Sequence, residues 1–251
     1  ICTIHHYCKK KLERKEVFNE QDNEDFKNLV RLDSGFAQSK YGSDVYKDHS
    51  FFKFIKGAYG HGRTLEEHWH HSSTDRLEYT PYHLGQLQNL EVVYKKYKKD
   101  NNLYDFADMI VGYNQKKIES DIEALIVDEA QDTNRPQLEA VFKMAKNVKD
   151  GHFYLVGDPD QTIFEWAGSD AKYFHEISTK KLKEGKRCGE AINKFCKTII
   201  APIWKHYGYE RDWSAAKGIT GNVYPLNDLR PSNNLKILIE KIQNTKQTFL
   251  F

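Results

Sequence analysis

The chain has 251 residues, 39% of them hydrophobic and 29% charged, with a formal net charge of +2. That length is ample for one α/β domain and part of a second, and the composition excludes a disordered chain. No apolar run approaches the ~20 residues that span a bilayer, no basic-then-apolar secretion signal opens the chain, and so small a net charge does not announce a nucleic-acid binder.

Basic residues cluster locally at 9–11, 95–99 and 180–183, a pattern that fits solvated helix faces as well as phosphate contacts. The four cysteines, Cys2, Cys8, Cys188 and Cys196, form no CxxC pair. They point to reduced thiols in a cytosol-like setting, not a secreted one, rather than to disulfides or a zinc site. Residues 21–81 are polar, aromatic and histidine-rich without clean alternation, and read as an inserted subdomain. Inside this segment, Gly57-Ala58-Tyr59-Gly60-His61-Gly62-Arg63-Thr64 imitates a phosphate-binding loop, with 51–55 as a candidate strand before it. Arginine stands there in place of the point-charge lysine such a cradle needs, so the stretch is rejected as a nucleotide site. His61, His68, His70 and His71 match no ligand spacing and read as polar surface.

Further along, Leu84, Leu87, Leu90, Tyr94 and Tyr97 give an amphipathic helix. Residues 122–127 form a short apolar run ending in acids, as a buried parallel strand does. Pro136 suits a first helical turn, and Leu138, Val141, Phe142 and Ala145 follow at helical spacing. A second buried strand is expected at 153–156, ending at Gly157-Asp158. Strand, acidic loop, helix, strand, polar loop is the rhythm of a parallel α/β sheet, whose chemistry sits at the carboxyl ends of its strands. Ile192, Phe195, Cys196 and Ile199 mark another helix, after which a strand at 222–224, a helix at 235–242 and a strand at 248–251 are expected.

The most informative segment is Asp128-Glu129-Ala130-Gln131-Asp132. Two adjacent acids at a strand tip can divide one task, Asp128 holding a hydrated magnesium ion and Glu129 activating a water for attack on a phosphate. Alone, the segment also fits a solvated acidic turn that caps the next helix. The loop after the next strand reads Gly157-Asp158-Pro159-Asp160-Gln161-Thr162-Ile163-Phe164-Glu165-Trp166-Ala167-Gly168-Ser169-Asp170. In this order and placement the two segments closely resemble the second and third motifs of UvrD/Rep-type superfamily 1 helicases. Thr3-Ile4-His5-His6-Tyr7-Cys8, Asp105-Phe106-Ala107-Asp108-Met109-Ile110, Lys186-Arg187-Cys188-Gly189-Glu190-Ala191-Ile192 and Gln247-Thr248-Phe249-Leu250-Phe251 resemble further segments of that family.

The resemblance implies a RecA-like parallel sheet flanked by helices. Residues 1–20 and 82–180 would make a first motor lobe, 21–81 a mainly helical insertion, and 181–251 the beginning of a second RecA-like lobe. It implies an ATP-dependent helicase or translocase moving 3′→5′, with ATP and Mg2+ as cofactors and single-stranded DNA and single/double-strand junctions as partners. Asp128 would carry the magnesium and Glu129 would activate the water. Gln161 would sense the γ-phosphate, and Arg187 would stabilise charge on it in the transition state. Thr3 and His5 would touch the DNA backbone, while Trp166, assisted by Phe164, would stack on a base. Bland roles stay open: Gln161 bracing its own loop, Arg187 in a surface ion pair, Phe164 and Trp166 in a core, His5 as a structural histidine. Gly185 and Lys186 stand where the family has asparagine and tyrosine, which weakens the match at Arg187. In the family a GxxxxGK[ST] loop precedes the threonine-histidine segment, so that loop is expected before Ile1, and these residues alone are expected not to hydrolyse ATP appreciably. An ATPase-dead DNA-binding module, or the motor part of a helicase–nuclease, are the competing readings.

Overall fold

A computed structural model describes residues 1–13, 16–31, 50–71, 82–208, 210–219, 221 and 223. The chain divides into two compact units, Ile1–Ser178 and Thr179–Phe251.

In the first unit, helix α1 (Ile4–Lys11) starts where the Thr3 hydroxyl accepts the His6 N–H at 3.2 Å. It buries Cys8 and Leu12 against Met109, Ile110 and Tyr113 of a later helix. Helices α2 (Glu20–Val30), α3 (Ser50–Gly60), α4 (Leu65–His71) and α5 (Leu84–Asp100) gather a largely aromatic core. Phe26 and Tyr94 meet edge-on at 5.2 Å, as do Phe51 and Phe52. The candidate strand at 51–55 is thus a helix. Phe51, Phe52, Phe54, Ile55 and Ala58 are all buried, so a helix apolar on most sides reads locally like a strand.

Helix α6 (Phe106–Gln115) opens on a reciprocal cap between Asp105 and Asp108. Strand β1 (Leu125–Val127) follows. Helix α7 (Arg135–Met144) is capped by Asn134, with Pro136 in its first turn as expected. Strand β2 (Phe153–Leu155) pairs with β1 in parallel, Leu125 opposite Phe153 and Val127 opposite Leu155. The strands are shorter than expected and form a two-stranded sheet among the described residues. They are also not buried on both faces. Ile126 and Tyr154, paired in register, are 70% and 53% exposed, whereas Val127, Leu125, Phe153 and Leu155 pack with Val141 and Phe174. Period-2 alternation puts one face of each strand on the helical layer and leaves the other open. Helix α8 (Ala171–Ile177) closes the unit.

The second unit contains helix α9 (Glu190–Tyr207), as the apolar spacing indicated, with Trp204 meeting Trp213 edge-on at 5.4 Å. The elements expected at 222–224, 235–242 and 248–251 lie outside the described residues, Val223 excepted. No helix among the described residues is long and apolar enough to cross a membrane.

Candidate active site

Parallel pairing brings the two strand tips together. Beyond the ladder the Val156 N–H donates to Val127 O at 2.8 Å, and the Ala130 N–H donates to Val156 O at 2.9 Å. The acidic loop and the loop after β2 are therefore stitched side by side. Glu129 sits in the left-handed region, φ 51°, which is costly for a residue with a Cβ and concentrates at functional turns. This turn leaves the side chains of Asp128 and Glu129 exposed. Asp128 Oδ1 accepts the Glu129 N–H at 3.0 Å.

The link between the loops is Gln131, 1% exposed. Its Nε2 donates to Glu129 Oε2 at 2.8 Å, and its Oε1 accepts the Asp158 N–H at 3.0 Å. Asp158 Oδ2 in turn accepts from Gln161 Nε2 at 2.9 Å. Glu129 and Gln161, separated by 32 positions, are thus joined by a run of hydrogen bonds through two residues to which the sequence assigned no role. Gly157 is required for it, because a Cβ there would overlap Gln131 Oε1.

Thr162 to Ser169 carry the aromatic pair. Phe164 and Trp166 are 40% and 41% exposed, with ring centroids 6.3 Å apart, so they are not core residues. Their loop is tied back to the acidic loop: Ser169 Oγ donates to Asp132 O at 2.7 Å, and Asn134 Nδ2 donates to Ala167 O at 3.4 Å. On its other side it meets the end of α3. The glycine-rich stretch at 57–64 is the last turns of that helix and its exit, not a strand-loop-helix cradle. A Cβ on Gly60 would overlap the Ala167 carbonyl, and Gly57 lies beneath the Trp166 carbonyl.

Thr3 and His5 sit at the start of α1. The Thr3 oxygen caps that helix. His5 is half-buried beside the Phe106 ring at 4.8 Å and Gln137 Nε2 at 3.3 Å. Burial lowers its pKa, so it is neutral near pH 7 and is no cationic phosphate grip. It reaches the aromatic loop indirectly, through Gln137 and Asn134. The structure thus brings Asp128, Glu129 and Gln161 together. Arg187 belongs to the second unit, exposed in the stretch leading to Gly189, which caps α9.

Two polar groups were misjudged in the sequence. Lys98, in an apparently solvated basic run, is 4% exposed and donates to Asp105 and Asp108, each at 2.6 Å, with the Tyr94 hydroxyl also on Asp105 at 3.0 Å. Burial would raise the Asp105 carboxyl, but the Lys98 charge and the bonds from Lys98, the Asp108 N–H and Tyr94 hold it below the usual range. The D-x-x-D spacing was the available signal for the cap, although nothing local pointed to the lysine. His68, expected at the surface, is 9% exposed under Phe54, and burial together with His61, Arg63 and His71 pushes its pKa down to about 4.

Among the described residues no cluster of three or more acidic, histidine or cysteine side chains could hold a metal alone. Asp128, an exposed carboxylate at a strand tip with one oxygen bonded to its own loop, is nonetheless a hard oxygen ligand of the kind magnesium accepts alongside water and phosphates.

Comparison with known proteins gives the family of the chain. The family model "UvrD/REP helicase N-terminal domain" matches residues 1–181. The ATP-dependent DNA helicase Rep of Buchnera aphidicola subsp. Acyrthosiphon pisum is 36% identical over 136 residues, covering 47% of this chain and 21% of the relative. The Escherichia coli Rep helicase is 30% identical over 125 residues, covering 43% and 18%. A probable DNA helicase II homolog of Mycoplasma pneumoniae is 25% identical over 156 residues, covering 55% and 21%. The chain spans about a fifth of the length of these curated relatives. With its matching model covering residues 1–181 and its two strand-tip loops joined, the chain belongs to the UvrD/REP helicase N-terminal domain family.

Proposed function

We propose that this chain is part of the motor of an ATP-dependent DNA helicase or translocase that moves 3′→5′ on single-stranded DNA and acts at single/double-strand junctions. Residues 1–20 and 82–180 belong to its first RecA-like lobe, 21–81 to an accessory insertion, and 181–251 to the beginning of its second lobe. The observation that carries this reading is the hydrogen-bonded run from Glu129 to Gln161, set beside a loop that exposes two aromatic rings.

Asp128 would hold the magnesium ion, which when bound to ATP would neutralise charge on the phosphates. Glu129 Oε2 is held by Gln131, leaving Oε1 to take the proton of the attacking water. Gln161, whose Nε2 donates to Asp158, would offer the same amide to the terminal phosphate of a bound nucleotide from the base of the loop bearing Phe164 and Trp166. Arg187 supplies a permanently charged guanidinium for the transition state. Thr3, through its hydroxyl hydrogen, and His5, as a neutral donor, contact the DNA backbone. Trp166 and Phe164 stack on bases, an interaction worth about 1–3 kcal/mol per base and indifferent to sequence, as a motor that passes every base requires.

The test is ATP hydrolysis by the full-length protein with and without a single-stranded oligonucleotide. Stimulation by the oligonucleotide is expected, and Trp166→Ala should remove most of it while basal hydrolysis persists. Equal rates with and without DNA in the wild type would rule the motor reading out.

A further inference from the structure

We infer that Gln131 is a positioning residue for ATP hydrolysis, its buried amide fixing the carboxylate of Glu129 against the backbone of the neighbouring loop. The inference rests on the reading of Glu129 as the water-activating base and assigns that base its orienting partner. Glu129 is exposed at its strand tip, and a glutamate side chain there has three rotatable bonds and no packing to fix them. Gln131 supplies the constraint from below. At 1% exposure it has no solvent to bond with, and both ends of its planar amide are engaged. The nitrogen end faces the Glu129 carboxylate and the oxygen end faces the Asp158 N–H, so a flip of the amide would set oxygen against carboxylate and N–H against N–H. The two bonds therefore define one orientation of the amide and hold one carboxylate oxygen of Glu129 in place.

Gly157 fits the same design, since any side chain there would overlap the amide oxygen. Because Asp158 also receives Gln161, the amide that orients the base is anchored to the loop that answers to DNA. A misplaced reacting group commonly loses about a hundredfold in rate without any change in ligand binding. A purely structural glutamine would serve equally well as any group able to accept the Asp158 N–H.

That difference sets the experiment. Gln131→Glu keeps the shape and still accepts from Asp158, and assayed at alkaline pH, where its carboxyl is ionised, it cannot donate to Glu129. Gln131→Met keeps the length and loses both bonds. In the full-length protein with saturating single-stranded oligonucleotide, both variants should show kcat for ATP lowered about 10- to 100-fold, with KM and ATP affinity within about threefold of wild type. Wild-type kcat in Gln131→Glu would overturn the inference, and so would a loss of ATP affinity as large as the loss of kcat, which is what a loop brace predicts. Should Gln131→Met fail to fold, Gln131→Glu alone decides. Glu129→Gln measured in parallel separates the two levels. If it turns over ATP normally, the reading of the base fails. If it is inactive while Gln131→Glu is normal, only the role of Gln131 fails.

Discussion

Gly60 and Gly168 meet backbone against backbone: a Cβ on Gly168, whose φ is +94°, would overlap the carbonyl of Gly60 at the last residue of α3. The contact seats the helical bundle of α2 to α5 directly against the loop that displays Phe164 and Trp166. The bundle thereby sets where those rings stand.

Gly60→Ala should therefore act on DNA binding. The added methyl has no room beside Ala167 O and must push the loop outward. Affinity for a single-stranded oligonucleotide should fall about tenfold, the equivalent of losing one stacked base, while ATP affinity stays unchanged. Fluorescence anisotropy on the full-length protein checks it, and unchanged DNA affinity would show that the contact does not position the loop.

Lys98→Met should destabilise the fold by about 3 kcal/mol in urea unfolding, because it strands the Asp105 and Asp108 carboxylates around a buried position. Adding Asp105→Asn and Asp108→Asn to Lys98→Met should restore much of the loss, since the cost lies in unpaired charge rather than in lost packing.

Acid should weaken the protein through His68. Its folded pKa, about 4, lies below the 6.5 of an unperturbed histidine, so between those values the unfolded chain binds the extra proton. The contribution is whole above pH 6.5 and is lost as pH falls toward 4. Melting temperature should thus drop between pH 7.5 and pH 5, and His68→Gln should drop less over the same interval. Parallel curves for the two proteins would contradict this.

Much of the site was legible in the sequence because it is local. An apolar run ending in Asp128-Glu129 and another ending in Gly157-Asp158 identify strand tips, and parallel strands put their tips on one edge. Pro136 likewise marked a helix start, whereas the reciprocal cap between Asp105 and Asp108 emerged only from the structure. What escaped depends on partners distant in sequence. Nothing near Lys98 announces that α6 brings two carboxylates to it. Residues 51–55 look like a strand until it is known that the α3 helix is covered on most sides. Gly57 and Gly60 imitate a phosphate loop, although their actual requirement is the close approach of Trp166 and Ala167, more than a hundred residues away in the chain. Gln131 reads as one letter of an acidic motif until its two hydrogen bonds are seen.

We propose that Glu129 takes the proton of the water that attacks ATP. Glu129→Gln is close to isosteric, so in the full-length protein it should leave nucleotide binding near normal and lower DNA-stimulated hydrolysis by at least about a hundredfold. Hydrolysis within a few fold of wild type in that variant would show that Glu129 does not take that proton.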